Sequence, residues 1–322
     1  MGDCNGIGLE ILAKSIAEFD RIHKESKEIE FHVCGNENTM SHYYDLADMP
    51  FYIDESNLVI NGRKCRIVNC KNAAEINFGK ERADAGKLAA EAIETALENT
   101  LKGDYDAFVT MPVSKAALYL GGWKYPGHTE MLAAKSNVGD PLMILCTRKI
   151  RVTLATIHEP LAKVPDLLNK DQLRKIITLF SESLKKDFAK SDPAIAVLGV
   201  NPHAGEAGSM GSEELEMIFP AIKEANDSGI KAVGPFPADG FFAHGEYKKY
   251  DGILAMYHDQ GLIPLKLLAK GAGVNFTGGL PIVRTSPDHG TAFAIAGKNE
   301  AGHSSSLESI KMAIDIHRNR SK

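Results

Sequence analysis

Ile253-Leu254-Ala255-Met256-Tyr257-His258-Asp259-Gln260-Gly261-Leu262-Ile263-Pro264-Leu265-Lys266 passes from an apolar, strand-like run into a burst of side chains able to do chemistry. In α/β proteins such bursts at a strand's carboxyl end are where ligands sit. His258 offers a neutral ring nitrogen to a metal ion, Asp259 can orient that ring or accept a proton, and Lys266 adds a fixed cation. A packed core requires none of these. A lone histidine at a strand end is more often a capping residue, so it is the company around His258 that turns the reading towards a site.

Two more predicted strands end the same way. Residues 152–157, the second strand of a hairpin-like pair with 142–146, run into His158-Glu159-Pro160, and 194–200 run into Asn201-Pro202-His203-Ala204-Gly205-Glu206-Ala207-Gly208. Between them an amphipathic pattern predicts a long helix over 170–188. Upstream, 29–34, 64–68 and 106–111 read as strands, and 40–48 as a helix. Residues 83–101 form the clearest helix, with Ala85, Ala89, Ile93, Leu97 and Leu101 repeating at i+4. Helices are also predicted over 213–226 and 307–318. Strand and helix alternate without tandem repeats or a low-complexity linker, which is the pattern of a largely parallel α/β sheet.

The 322 residues carry 44% hydrophobic and 25% charged side chains and a net charge of −5. That describes an ordinary globular chain with no basic field to attract nucleic acid or an anionic membrane. Cys4, Cys34, Cys65, Cys70 and Cys146 are odd in number and form no C-x-x-C pair, which argues against a disulfide framework. With no signal-like amino terminus and no apolar run long enough to span a bilayer, the expected place is the cytoplasm.

The segment Met1-Gly2-Asp3-Cys4-Asn5-Gly6-Ile7-Gly8-Leu9-Glu10 is a glycine-rich turn opening into a helical pattern. It is similar to a phosphate cradle, but Ile11 stands where the dinucleotide fingerprint needs its third glycine. A tight helix-entry turn is the simpler reading.

His158, His203 and His258, each following a predicted strand, are candidates to meet on one rim. Three imidazoles suit Zn²⁺ and similar ions. Single histidines so far apart are a weaker signal than a compact pair on one helix, and capping roles stay open for each. Lys266, Asn275, Arg284, His128 and Thr129 form a set suited to an anion, because lysine meets phosphate as a point charge and arginine grips oxyanions bidentately. Taken singly, each is equally readable as a solvated or capping residue. Metal plus anion clamp points to a small phosphorylated acid.

Several runs in the right order add a resemblance. Gly2-Asp3-x-x-Gly6-Ile7-Gly8-x-Glu10, Pro112-Val113-Ser114-Lys115, Tyr125-Pro126-Gly127-His128-Thr129-Glu130, Asn201 to Glu206, Tyr257 to Gly261 and Arg284-Thr285-Ser286-x-Asp288-His289-Gly290-Thr291 closely resemble the 4-hydroxythreonine-4-phosphate dehydrogenase family of vitamin B6 synthesis. The likeness spans nearly the whole chain. It implies a two-domain α/β/α fold similar to the isocitrate and isopropylmalate dehydrogenases, with the active site in the interdomain cleft. The expected division is 1–125 with 288–322 as one domain and 126–287 as the other. The resemblance also implies His158, His203 and His258 as ligands of a divalent metal, Zn²⁺ or alternatively Mg²⁺ or Co²⁺. His128, Thr129, Lys266, Asn275 and Arg284 become the substrate contacts, and NAD or NADP the oxidant, with its contact residues unassigned. The implied reaction oxidises 4-phosphooxy-L-threonine at C3 and decarboxylates the product to 3-amino-2-oxopropyl phosphate. Lys266 and Asp239 are the candidates for proton transfer. The implied assembly is a homodimer whose metal site takes His158 and His203 from one subunit and His258 from the other.

The sequence departs from the family pattern in two places. Members usually carry a strand of about ten residues ahead of the Gly-Asp turn, whereas this sequence opens on the turn. Cys4-Asn5 and Leu9 stand where the family commonly has Pro-Ala and Pro. Rival readings are a relative acting on threonate or erythronate 4-phosphate or on an unphosphorylated diol acid, a zinc hydrolase, a phosphate acyltransferase, and an anion-binding module without turnover.

Overall fold

The computed structural model describes residues 1–23, 28–125 and 127–322, with the side chains of His128 and Thr129 outside that description. The chain divides into two compact units, Met1–Asn137 with Pro281–Ile314, and Val138–Leu280 with Asp315–Lys322. In chain order the first unit holds α1 (Gly8–Ile22), β1 (His32–Gly35), α2 (Glu37–Leu46), β2 (Tyr52–Asp54), β3 (Asn57–Ile60), β4 (Arg63–Asn69), α3 (Ala83–Lys102), β5 (Phe108–Val109), α4 (Lys115–Leu120) and α5 (His128–Ser136). The second holds β6 (Leu142–Cys146), β7 (Arg151–Leu154), α6 (Val164–Leu167), α7 (Lys170–Lys186), β8 (Ala194–Leu198), α8 (Phe219–Asp227), β9 (Lys231–Phe236), α9 (Ala238–Ala243), β10 (Gly252–Ala255), α10 (His258–Ala269) and β11 (Val274–Gly278). β12 (Arg284–Pro287) returns to the first unit, and α11 (Ser304–Arg320) ends the chain. Relative to the expected domain limits, α5 and β12 fall in the first unit. Lys135 of α5 pairs with Glu94 of α3, and β12 pairs in parallel with β5.

In the first unit β1 and β4 run parallel, and β3 and β2 add antiparallel strands in the order β1-β4-β3-β2. The β2–β3 hairpin is absent from the sequence reading. Its turn residues, Glu55 and Ser56, both take positive φ (46° and 59°) without the glycine that normally announces such a turn. Leu9, Ala13, Ile16 and Phe19 of α1 pack with Leu58, Ile60, Cys65 and Ile67 of the sheet. Helix starts are capped where the sequence offers a side chain: Asn36 accepts from the Thr39 N–H and Ser114 from the Ala117 N–H. Ser114 and Lys115 therefore sit at a strand-to-helix turn after β5.

The glycine-rich turn is a helix entry, and several of its donors are taken within the protein. The Asp3 N–H bonds to the Pro112 carbonyl and the Ile7 N–H to the Thr291 carbonyl. A side chain at Gly2 would collide with the Pro112 carbonyl oxygen. Glu10, fully buried, accepts from Lys14 Nζ and the Ala301 N–H, both at 2.7 Å. The N–H groups of Asp3, Asn5, Gly6 and Ile7 are all engaged within the protein.

Asp3 is 1% exposed. Burial pushes its carboxyl up to about 6, against the pull of the Asn5 and Ser114 N–H groups and helped by the charges of Glu81 and Asp84. A raised carboxyl pKa contributes stability below the unfolded value of 3.8 that is lost as pH rises through about 6. Asp3→Asn keeps the acceptor for Asn5 and removes that loss. The variant should be more stable than wild type at pH 8 by up to roughly 3 kcal/mol, with the gap closing below pH 4. Denaturant unfolding at pH 4, 6 and 8 checks this, and a difference independent of pH would contradict it.

The second unit's sheet runs β11-β6-β7-β10-β8-β9. β7, β10, β8 and β9 are mutually parallel, while β6 is antiparallel to both β7 and β11. β10 is buried on both faces, which explains its unbroken apolar sequence. Ile253 and Ala255 face a core that includes Leu262 and Leu265 of α10. On the opposite side, Gly252 leaves room for Phe180 and Leu184 of α7. α7 bears the long amphipathic pattern of the sequence, and α8 packs against it. The predicted helix over 213–226 begins instead as a single π-turn, Glu214–Ile218, before α8.

Candidate active site

The rim is set by strand order. β7, β10 and β8 lie side by side and parallel, so the residues that follow them leave from one edge of the sheet. His158 follows β7, His258 opens α10 directly after β10, His203 follows β8, and Asp239 opens α9 after the neighbouring β9. Along the edge the order is His158, His258, His203, Asp239. β8 and β10 are adjacent, yet the chain leaves β8 towards α8 on the α7 face and leaves β10 towards α10 on the opposite face. Such a divergence opens a crevice at the carboxyl ends, the usual ligand position in this class of sheet.

The His158 and His258 rings approach to 5.9 Å between centroids, inclined by 38°. A tetrahedral ion with imidazole nitrogens at about 2.0–2.1 Å puts two centroids roughly 5 Å apart. Nδ1 of His258 lies 2.7 Å from Oδ1 of Asp259, which orients the ring and turns Nε2 outward. A carboxylate behind an imidazole is the usual outer partner of a metal-ligating histidine. His203 leaves the strand differently. Residues His203 to Ala207 all have positive φ (53°, 50°, 75°, 41° and 55°), a left-handed turn in which only Gly205 is free of Cβ strain. Each other residue there costs roughly 1–2 kcal/mol relative to a right-handed turn. Among the described residues of a single chain, no three His, Cys, Asp or Glu side chains are grouped to hold an ion. One chain thus supplies a donor set of the right chemistry, with two imidazoles near ligating separation and the third apart from them.

Two residues passed over in the sequence reading build this rim. Gln260 accepts the Met256 N–H at 2.7 Å and donates to the Gly199 carbonyl at 2.6 Å, tying the end of β10 to the end of β8. Glu214 accepts the Val200 and Asn201 N–H groups, both at 2.8 Å, and Asn201 Nδ2 at 3.0 Å.

The anion candidates fall in both units. Lys266 is exposed on α10, two turns beyond His258, roughly 12 Å of helix rise. Its stem leans back towards the helix amino terminus, which shortens that gap. Asn275 on β11 is level with Leu145 of β6, on the face covered by α10, and its Oδ1 is buried without a hydrogen-bond partner. A buried amide oxygen left open in this way is suited to a ligand's donor. In the first unit Arg284 is 3% exposed and donates from Nε (3.1 Å) and Nη2 (2.6 Å) to Thr110 Oγ1. Burial alone pulls its guanidinium down to about 10, still charged at neutral pH. His128 and Thr129 begin α5, but their side chains lie outside the described residues. All five cysteines are buried and free, and burial raises their thiols, so none is poised as a nucleophile. No helix among the described residues is long and apolar enough to cross a membrane.

Comparison with known proteins places these residues in a family context. Residues 27–313 match the family described as pyridoxal phosphate biosynthetic protein PdxA. A 4-hydroxythreonine-4-phosphate dehydrogenase of Bacteroides thetaiotaomicron is 39% identical over 325 residues, covering 100% of this chain and 88% of that protein. A crystal structure of the enzyme of that name from Klebsiella pneumoniae superposes with a TM-score of 0.85 at 38% identity, covering 98% of this chain and 96% of that one. A terephthalate 1,2-cis-dihydrodiol dehydrogenase from Burkholderia xenovorans is also similar, at 25% identity and a TM-score of 0.64, with 98% and 96% of the two chains covered.

Proposed function

The chain belongs to the pyridoxal phosphate biosynthetic protein PdxA family, and from that premise we propose that it oxidises 4-phosphooxy-L-threonine at C3 with NAD⁺ or NADP⁺ and decarboxylates the product to 3-amino-2-oxopropyl phosphate. The observation that carries this reading is the row His158, His258, His203 and Asp239 along one carboxyl edge, in a chain that matches the family over 27–313. Likeness to the phosphate-ester enzyme (38% identity) exceeds likeness to the dihydrodiol enzyme (25%), which favours a phosphorylated substrate over a diol acid.

A divalent ion held by His158, His203 and His258 supplies Lewis-acid stabilisation of the negative charge that develops on the substrate oxygen. The protein's own groups do the rest. Asp259 fixes the tautomer of His258 through Nδ1. Arg284, Lys266 and Asn275, with His128 and Thr129, hold the phosphate and carboxylate so that C3 is presented to the nicotinamide. The Asp239 carboxylate would accept the C3 hydroxyl proton as C3 is oxidised, with the nicotinamide supplying the two-electron acceptor. The C1–C2 bond of the resulting β-keto acid then breaks, CO₂ departs, and the electron pair left at C2 takes a proton from protonated Asp239 or from the Lys266 ammonium. Reduced-nicotinamide absorbance with a panel of phosphorylated and unphosphorylated hydroxy acids tests the assignment. Turnover of threonate or erythronate 4-phosphate but not 4-phosphooxy-L-threonine would move it to the sugar-acid relative, and hydrolysis without nicotinamide would replace it.

Lys266→Ala and Arg284→Ala should each raise KM for the phosphorylated substrate about tenfold or more, as expected for loss of a charge-assisted contact. Bound metal, measured by elemental analysis, should not change. Lys266 is the cleaner probe, because buried Arg284 also bonds Thr110 and its loss weakens the first unit. Wild-type kinetics in both variants would put the anion clamp elsewhere.

The reading includes a second copy of the chain that completes the metal site. Ile263 and Leu267, one turn apart on the helix that begins at His258, are 58% and 72% exposed. An apolar face beside a ligand-bearing helix end supports a two-fold contact there. Two divisions of the donors are compatible with the chain. The family resemblance gives His158 and His203 to one subunit. The 5.9 Å approach within one chain supports a second division, with His158 and His258 from one subunit and His203 from the other.

A further inference from the structure

We propose that Glu214, assisted by Gln260, is a positioning residue that fixes His203 for metal binding by holding the peptide groups from which its left-handed turn springs. The inference rests on the reading of His203 as a metal ligand. Its geometry is independent of that reading. A run of six positive-φ residues, 203–208, four of them with side chains, does not persist unless its surroundings over-determine it. Three consecutive residues just before it are held from two sides. The Gly199 carbonyl accepts from Gln260, while the Val200 and Asn201 N–H groups both donate to one oxygen of Glu214. The other Glu214 oxygen accepts from Asn201 Nδ2.

Glu214 is 1% exposed, and a buried carboxylate is tolerated only with donors of this kind around it. The turn closes directly over it. A side chain at Gly205 would come within 2.5 Å of Glu214 Oε2, so the positive φ of 75° there and the missing Cβ together let the backbone pass above the carboxylate. Glu214 itself sits in the π-turn Glu214–Ile218, an irregularity that recurs at functional sites. Gln260 reaches the same loop from the first turn of the helix that carries His258. The two clamps therefore link the placement of His203 to that of His258.

The test is titration of the metal-free full-length protein with Co²⁺ alone, followed by visible absorption of the bound ion, together with far-UV circular dichroism of each variant. Glu214→Ala should weaken Co²⁺ binding about 10–100-fold, the range seen when an outer partner of a ligand is removed. Glu214→Gln retains an oxygen for both N–H groups and should stay within a few-fold of wild type. In a His203→Ala background Glu214→Ala should add nothing, because its effect passes through His203. A merely structural role would weaken both backgrounds by the same factor, and that result, or wild-type affinity in Glu214→Ala, overturns the proposal. If Glu214→Ala does not fold, Gln260→Met takes its place: it should weaken Co²⁺ binding in the wild-type background and, because Gln260 also holds the end of β10 beside His258, by a smaller factor in the His203→Ala background, whereas an equal factor in both overturns the proposal. A wild-type protein that binds no Co²⁺ overturns the metal reading itself, whereas normal wild-type binding with an indifferent Glu214 overturns this inference alone.

Discussion

Mixing inactive His203→Ala subunits with inactive His258→Ala subunits, under conditions that permit exchange, is expected to restore about a quarter of wild-type activity, because half the dimers are mixed and each has one intact site of two. Both divisions of the shared site give that result, since each assigns His203 and His258 to different subunits. The other pairings separate them. If His158 and His203 come from one subunit, His158→Ala with His258→Ala also recovers about a quarter, while His158→Ala with His203→Ala recovers nothing. If His158 and His258 come from one subunit, as their 5.9 Å approach favours, those two outcomes are exchanged. Confirmed exchange with no recovery in any pairing would show that every site is built from a single subunit. Starting from inactive parents, this is a gain from essentially zero, so even a few per cent of the expected recovery is measurable.

Chelation should abolish reduction of the nicotinamide, and Zn²⁺, Co²⁺ or Mg²⁺ should restore it. Withdrawing Lewis-acid stabilisation worth several kcal/mol from the charge on the substrate oxygen slows the chemical step by roughly a hundredfold or more. Buried side chains such as Leu58 and Tyr43 in one unit and Val152 and Leu254 in the other form hydrophobic cores that contain none of the three histidines. The far-UV spectrum should therefore be unchanged on chelation, which separates loss of the ion from loss of the fold. Full activity in protein shown by elemental analysis to be metal-free would remove the histidines from the chemistry.

Much of the local structure was legible because it is governed by short-range chemistry. The i+4 repeat from Ala85 to Leu101 fixes α3, and the run at 253–256 reads as a strand buried on both faces because every position in it must be apolar. Ser114 marks a helix start because a side-chain oxygen there satisfies a free N–H. The missing third glycine after Gly6 and Gly8 excluded a dinucleotide cradle, and the structure shows why the turn is there instead: its N–H groups are taken by Pro112 and Thr291. The family, too, was carried by the order of its motifs. The β2–β3 hairpin was not legible, because Glu55 and Ser56 adopt positive φ through their place in the sheet rather than through glycine.

The arrangement of the site belongs to the tertiary structure. In the chain His203 and Asp239 lie between His158 and His258, but insertion of β10 between β7 and β8 brings His158 and His258 together and leaves His203 and Asp239 beyond them. Side-chain period and hydropathy determine that a segment is a strand, not which strands it joins, since any strand buried on two faces presents the same apolar pattern. Nor does a sequence show that Glu214 will be buried beneath Gly205, or that the amide of Gln260 will meet the carbonyl of Gly199, 61 positions away. Those contacts exist only once β8 and β10 are neighbours. The sequence determined which residues have the chemistry, and the pairing of distant strands decided which of them stand side by side.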